Sequence, residues 1–228
     1  MTFLEFAKYL AFLTPVMLIA GVLIGIYYFR YLDVVKRNIV IYLILMLAVD
    51  LAGSTLAPSG NNVIILPVFS FIEMLFFVYL YNKYLLPKPD TFLICLGIAG
   101  ALYIVVETLS YFVFNTLDIK QFQPYSKVVD NFIIIVTALS FYYQKMKSFK
   151  ETKWDYFRFN TVILIFFTLN TIIFLPFNFL VNESSGVKFY FWTGNVVMLL
   201  LFYSYLISLV SNNGKASKNK AYKNFSRH

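Results

Sequence analysis

Residues 63–86 read VIILPVFSFIEMLFFVYLYNKYLL, a run with one acid, Glu73, near its middle and one base, Lys83, near its end. Pro58-Ser59-Gly60-Asn61-Asn62 precedes the run and Pro87-Lys88-Pro89-Asp90 follows it; both are turn-forming strings. Roughly 20 apolar residues cross ~30 Å of hydrocarbon, so this run predicts a membrane-spanning helix. Carried outward, the same test finds seven spans: residues 6–29, 38–57, 63–86, 91–114, 125–144, 159–181 and 188–210. The expected fold class is all-α, a polytopic seven-helix membrane protein. One transmembrane domain over 1–210 is expected, followed by a basic, structureless tail over 211–228.

Composition agrees. Of 228 residues 60% are hydrophobic and 13% charged, with a mean hydropathy of +0.73, which excludes both an ordinary cytosolic globule and a disordered chain. Glu5 and Lys8 lie ahead of an unbroken apolar core from Tyr9 to Phe29. That core is too long for a typical signal peptide, so the first span is expected to stay. Cys95 is the sole cysteine and His228 the sole histidine, so no internal disulfide and no histidine chemistry inside the fold are expected. Tyrosines crowd the span ends (Tyr27, Tyr28, Tyr31, Tyr79, Tyr81, Tyr84, Tyr142, Tyr143), as a headgroup-level aromatic belt requires.

Orientation follows from the basic residues. Arg30, Lys36, Arg37, Lys83, Lys88, Lys145, Lys147, Lys150, Lys153, Arg158, Lys215, Lys218, Lys220, Lys223 and Arg227 fall on one side, fifteen in all, against Lys8, Lys120, Lys127 and Lys188 on the other. The positive-inside rule places the fifteen in the cytoplasm, the amino terminus outside and the carboxyl terminus inside. The net charge of +8 is therefore spread over all the cytoplasmic segments, as insertion and anionic lipid demand, and nucleic acid is not expected as a partner. The tail is the one polar, basic element that could act separately: it reads either as a solvated terminus or as a lipid- or partner-docking segment, with Tyr222 and Phe225 as apolar contacts among its lysines.

Four acids fall inside spans: Asp50, Glu73, Glu107 and Asp130. Each costs about 2.5–3.5 kcal/mol to insert, which marks it as a functional candidate. No Lys or Arg is read as lying deep in a span, so these acids are expected to lack an intramembrane cation. At ~1.5 Å of rise per residue, Glu73 and Asn170 are central, while Asp50, Glu107, Asp130 and Asn195 lie toward the outer half. If they converge, they form an acidic cavity open to the outside. Ser70 shares a stripe with Glu73, and Tyr103, Ser110 and Tyr111 share one with Glu107. Gly53 and Ser54, after Asp50, would let helices approach closely, and Pro15, Pro67 and Pro176 would kink their spans. Three outcomes stay open for the acids: protonated and hydrogen-bonded structural groups, ligands for an external cation or amine, or proton relays.

Catalytic patterns are absent. The sequence holds no His-Glu-x-x-His, Gly-x-Ser-x-Gly or phosphate-binding glycine loop, and its acids are not in the Gly-x-Gly-Asp setting of intramembrane aspartyl proteases. Phe191–Val210 contains no lysine for a retinal Schiff base, and the Asp-Arg-Tyr and Asn-Pro-x-x-Tyr motifs of G-protein-coupled receptors are missing. No enzyme activity and no cofactor are expected. A 120-residue shift superposes Asp50 on Asn170, Asn62 on Asn182, Phe69 and Phe71 on Phe189 and Phe191, and Glu73 on Thr193. Few other identities accompany them, and a 3+1+3 repeat stays open.

The strings Phe69-Ser-Phe-Ile-Glu73-Met-Leu-Phe-Phe-Val-Tyr79, Val129-Asp130-Asn131 and Phe191-Trp192-Thr193-Gly194-Asn195 resemble those of a loose group of small, stand-alone seven-helix inner-membrane proteins from AT-rich bacteria. The resemblance implies a sensor that signals to a separate kinase and carries over no site residues. The function expected is a bacterial inner-membrane sensor. An external cation or small polar ligand would bind Glu73 and Glu107, supported by Asp50, Asp130, Asn195 and Asn170, and a cytoplasmic signalling protein would read the response. A small proton- or cation-coupled transporter is the alternative, and a structural subunit of a membrane complex the next. Whether a metal is bound is left open.

Overall fold

In the computed structural model the described residues are 3–56, 64–114, 125–147, 156–180 and 187–225, and no strand occurs among them. The order is α1 (Phe3–Tyr28), a short 3-10 turn (Phe29–Tyr31), α2 (Val34–Leu56), α3 (Ile65–Leu80) running on into a π-helical turn (Tyr81–Leu85), α4 (Thr91–Phe112), α5 (Ser126–Lys147), α6 (Phe157–Leu180) and α7 (Val187–Phe225). Six of these stretches are long and apolar enough to cross a membrane. The remaining helix, α5, matches them at 22 residues but carries charge at both ends, with Lys127 and Asp130 near its start and Lys145 and Lys147 in its last turn. The turns at 58–62 and 182–186, together with Lys120, Lys150, Lys153 and Arg227, lie outside the described residues.

Burial is inverted relative to a water-soluble domain. Phe12, Leu23, Leu102 and Leu201 are more than 60% exposed, whereas Glu73, Asp130, Asn131 and Asn160 are fully buried. Exposed apolar surface on this scale needs an apolar surrounding, and a bilayer supplies it.

The chain divides into two compact units, residues 1–52 with 196–228, and residues 53–195. In the first unit α1 packs through glycines: a Cβ at Gly21 would collide with Ile207, and one at Gly25 with Val40. The Tyr42 and Phe202 rings meet edge to face at 6.3 Å. The expected structureless tail is corrected here, because α7 continues as one helix to Phe225. Lysine and alanine in this stretch sustain a helix, and contacts tether it. Gly214 is buried against the Tyr28 ring, where a Cβ would not fit, and Lys218 Nζ donates to Tyr27 Oη at 2.6 Å.

The second unit holds α3 to α6 and the first turns of α7. Here α5 packs against α3, α4 and α6. Met74, Val78, Ile104 and Ile133 form a buried cluster, and Phe77 and Phe167 stack edge to face at 5.2 Å. At Gly100 of α4 a Cβ would overlap the side-chain ends of Ile133 and Met74. Gly53 does not serve that purpose, since a Cβ there would make only an ordinary contact with Ile65 at 3.6 Å. Pro15 and Pro176 lie inside α1 and α6. Pro67 falls in the first turn of α3, where its missing N–H would have had no helical partner. Asp90 caps α4, its side chain accepting from Phe92 N–H at 3.0 Å, while its own N–H donates to Asn82 Oδ1 at 2.8 Å.

Candidate functional site

The inner face of α5 explains the site. Lys127, Asp130 and Asn131 stand at i, i+3 and i+4, one stripe of a helix, and all three are buried. Opposite them, Ser70 and Glu73 form one stripe of α3, also buried. Lys127 Nζ donates to Glu73 Oε2 and, at 2.6 Å, to Asp130 Oδ2. The ammonium also lies 4.5 Å from the Phe69 ring centroid and 5.6 Å from that of Phe167, distances at which the ring faces attract a cation. Lys127 is 2% exposed and both acids 0%.

This overturns the expectation that the intramembrane acids lack a cation. Lys127 lies near the start of its span, where its position alone predicts an outer-surface charge, yet its stem carries the ammonium between two buried carboxylates. A Lys-x-x-Asp-Asn pattern was the available signal, since that spacing puts all three on one face.

The triad has two carboxylates for one ammonium, so fully ionised it carries one net negative charge. One added proton or monovalent cation makes it neutral. Three oxygens around it, Asp130 Oδ1, Asn131 Oδ1 and Ser70 Oγ, are buried without a hydrogen-bond partner among the described residues. Native interiors leave few such atoms.

From Asn131 a chain of amides crosses the remaining helices. Asn131 Nδ2 donates to Asn170 Oδ1 at 2.8 Å, and Asn170 Nδ2 to Asn195 Oδ1 at 3.0 Å. Side chains from α3, α5, α6 and the start of α7 thus form one polar seam.

Glu107 has a different task. Its Oε1 accepts the Tyr125 N–H and its Oε2 the Ser126 N–H, each at 2.8 Å. The carboxylate caps the amino end of α5, where unpaired N–H groups and the positive end of the helix dipole favour an anion. Asp50 is half-buried on α2 and belongs to the first unit. Of the five candidates in the second unit, Glu73 and Asp130 meet at Lys127, Asn170 and Asn195 bond each other, and Glu107 caps α5 instead.

Tyr81, expected in the aromatic belt, is instead fully buried. Its hydroxyl donates to Asn160 Oδ1 at 2.6 Å, and Asn160 Nδ2 donates to the Ala138 carbonyl at 3.2 Å. Among the described residues no group of three or more His, Cys, Asp or Glu is placed to hold a metal ion. Comparison of the chain with known protein families, curated proteins and solved structures finds no match.

Proposed function

We propose that the protein is a seven-span bacterial inner-membrane sensor, amino terminus outside, whose Glu73–Lys127–Asp130 triad takes up a proton or a small external cation. The observation that carries this reading is the buried imbalance of two carboxylates on one ammonium. Such charge is costly in hydrocarbon and marks a functional group. Counting α5 as a span is supported by its length and by its packing against three other helices. The fifteen-to-four distribution of Lys and Arg supports the orientation.

Uptake of a positive charge by Asp130 or Glu73 weakens the hold of that acid on Lys127 and so changes the contact between α3 and α5. The polar seam offers a route from that contact to α6 and α7. The stretch from Lys145 to Arg158 and the basic end of α7 would present the output to a cytoplasmic signalling protein. Internal pairing of the acids with Lys127 favours a self-contained switch over a subunit that waits for a partner's cation.

Thermal unfolding of the purified protein on the acid and alkaline sides of neutrality, against a panel of cations and amines, tests the reading. A ligand that binds only the folded state raises the melting temperature with concentration. The expected result is a shift with pH or cation that Glu73→Gln abolishes while still folding. An identical response in that variant refutes the triad as the site. The same polar seam also fits a small proton- or cation-coupled carrier, and ligand-dependent flux into sealed vesicles would establish that reading instead.

A further inference from the structure

A second site, apart from the triad, lies between the end of α3 and the start of α4. Leu75, Val78, Ile94, Gly97 and Ile98 line an open groove of about 530 Å³. Gly97 lets α4 lie close to Val78, which a Cβ at Gly97 would meet at 3.2 Å. At the other end the lining turns polar, with Tyr79, Asn82 and Lys83 beside Pro89. From Leu75 to Lys83 the helix advances about 12 Å.

The polar end is built by the π-helical turn Tyr81–Leu85. In a regular α-helix, residues five apart point roughly 140° away from each other, at ~100° per residue. Across this wider turn Tyr79 and Tyr84 lie side by side instead, ring centroids 5.9 Å apart and nearly perpendicular. Lys83 Nζ stands 5.1 Å from one ring and 5.5 Å from the other, and donates to Tyr79 Oη at 2.9 Å. An ammonium has three donors; the Tyr79 and Tyr84 hydroxyls engage two, which leaves one for a ligand. Lys88 is exposed in the adjoining loop, where its backbone N–H donates to Gln144 Oε1 at 3.3 Å. Single-turn π segments are frequent at functional sites.

We propose that this groove binds one anionic phospholipid, with an acyl chain along Leu75, Val78 and Ile98 and the phosphate on Lys83. Two features select this occupant: an open apolar channel, and the exposed Lys83 ammonium at one end of it. An acyl chain satisfies the first and an anionic headgroup the second. Placing the site in the cytoplasmic leaflet rests on the proposed orientation; the chemistry of the site does not.

The test uses the delipidated full chain, titrated with phosphatidylglycerol or with phosphatidylcholine of the same acyl chains. Melting temperature is followed and bound lipid counted by native mass spectrometry. Phosphatidylglycerol should raise the melting temperature and remain bound one per chain, and phosphatidylcholine should do neither. Lys83→Glu should weaken the response about tenfold by reversing charge at the headgroup. Ile98→Trp should abolish it by filling the channel, and Lys215→Glu should leave it unchanged. Equal responses to the two lipids would mean that any acyl chain suffices, and would overturn the proposal. So would an undiminished phosphatidylglycerol response in both Lys83→Glu and Ile98→Trp, or an equal shift from inorganic phosphate alone.

Discussion

Glu107 and Ser126 sit nineteen positions apart and meet as carboxylate and backbone amide, Oε2 accepting the Ser126 N–H at 2.8 Å while Oε1 takes that of Tyr125. One side chain of α4 thus closes the amino end of α5. Glu107→Gln keeps a single acceptor oxygen and leaves one N–H unpaired, and Glu107→Ala leaves both. Loss of a cap costs about 0.5–2 kcal/mol, so Ala should destabilise more than Gln, as measured by reversible unfolding in detergent. Equal stability of the two variants and the wild type would refute the cap.

Lys127→Met removes the ammonium and leaves Glu73 and Asp130 facing each other in the interior. Breaking a buried ion pair from one side costs about 3–5 kcal/mol, whereas replacing the whole set by apolar groups is often neutral. Lys127→Met should therefore unfold far more easily than the wild type. Adding Glu73→Leu and Asp130→Leu to it should restore most of the loss in thermal melts.

Asn170 is the middle link of the amide chain and bonds both Asn131 and Asn195. Polar contacts between membrane helices average about 0.6 kcal/mol each. Asn170→Leu should cost roughly twice as much as Asn195→Leu, and a double-mutant cycle of the pair should show coupling.

Gly100 and Gly53 give opposite outcomes for one substitution. Gly100→Ala pushes a Cβ into Ile133 and Met74, and overpacking of this kind costs about 1–3 kcal/mol. Gly53→Ala meets ordinary contact and removes a helix-interior glycine, a gain of up to about 1 kcal/mol. Parallel melting curves should move in opposite directions.

The helices were legible in the sequence because hydropathy and length are local properties. Each observed helix covers most of an expected span, and the turn beginning at Pro87 was placed correctly. The partners of the polar residues were not legible, because pairing depends on rotation about each helix axis and on distant segments. Glu73 and Asp130 are conspicuous as acids in hydrocarbon, whereas the cation between them lies near a span end and so looks like an exterior charge. A lysine stem is long enough to carry its charge inward from the first turn. The π turn left no mark in composition, which hid the burial of Tyr81 beside its exposed neighbours. The helical stretch after Ser211 escaped notice because it is polar; its anchor is a contact of Gly214 with Tyr28.

The triad also sets a condition on biosynthesis. Glu73 is made 54 residues ahead of Lys127, and at ~5–20 residues per second the lysine follows about 3–11 s later. Through that interval α3 presents a carboxyl group with no ammonium to meet it, at an insertion cost of about 2.5–3.5 kcal/mol. A proton can stand in until α5 arrives, or α3 can wait at the translocon and enter together with it. In the first case α3 gives up its proton when α5 arrives, in the second the two segments commit to the bilayer as a couple, and in both the ribosome's pace becomes part of how this protein is assembled.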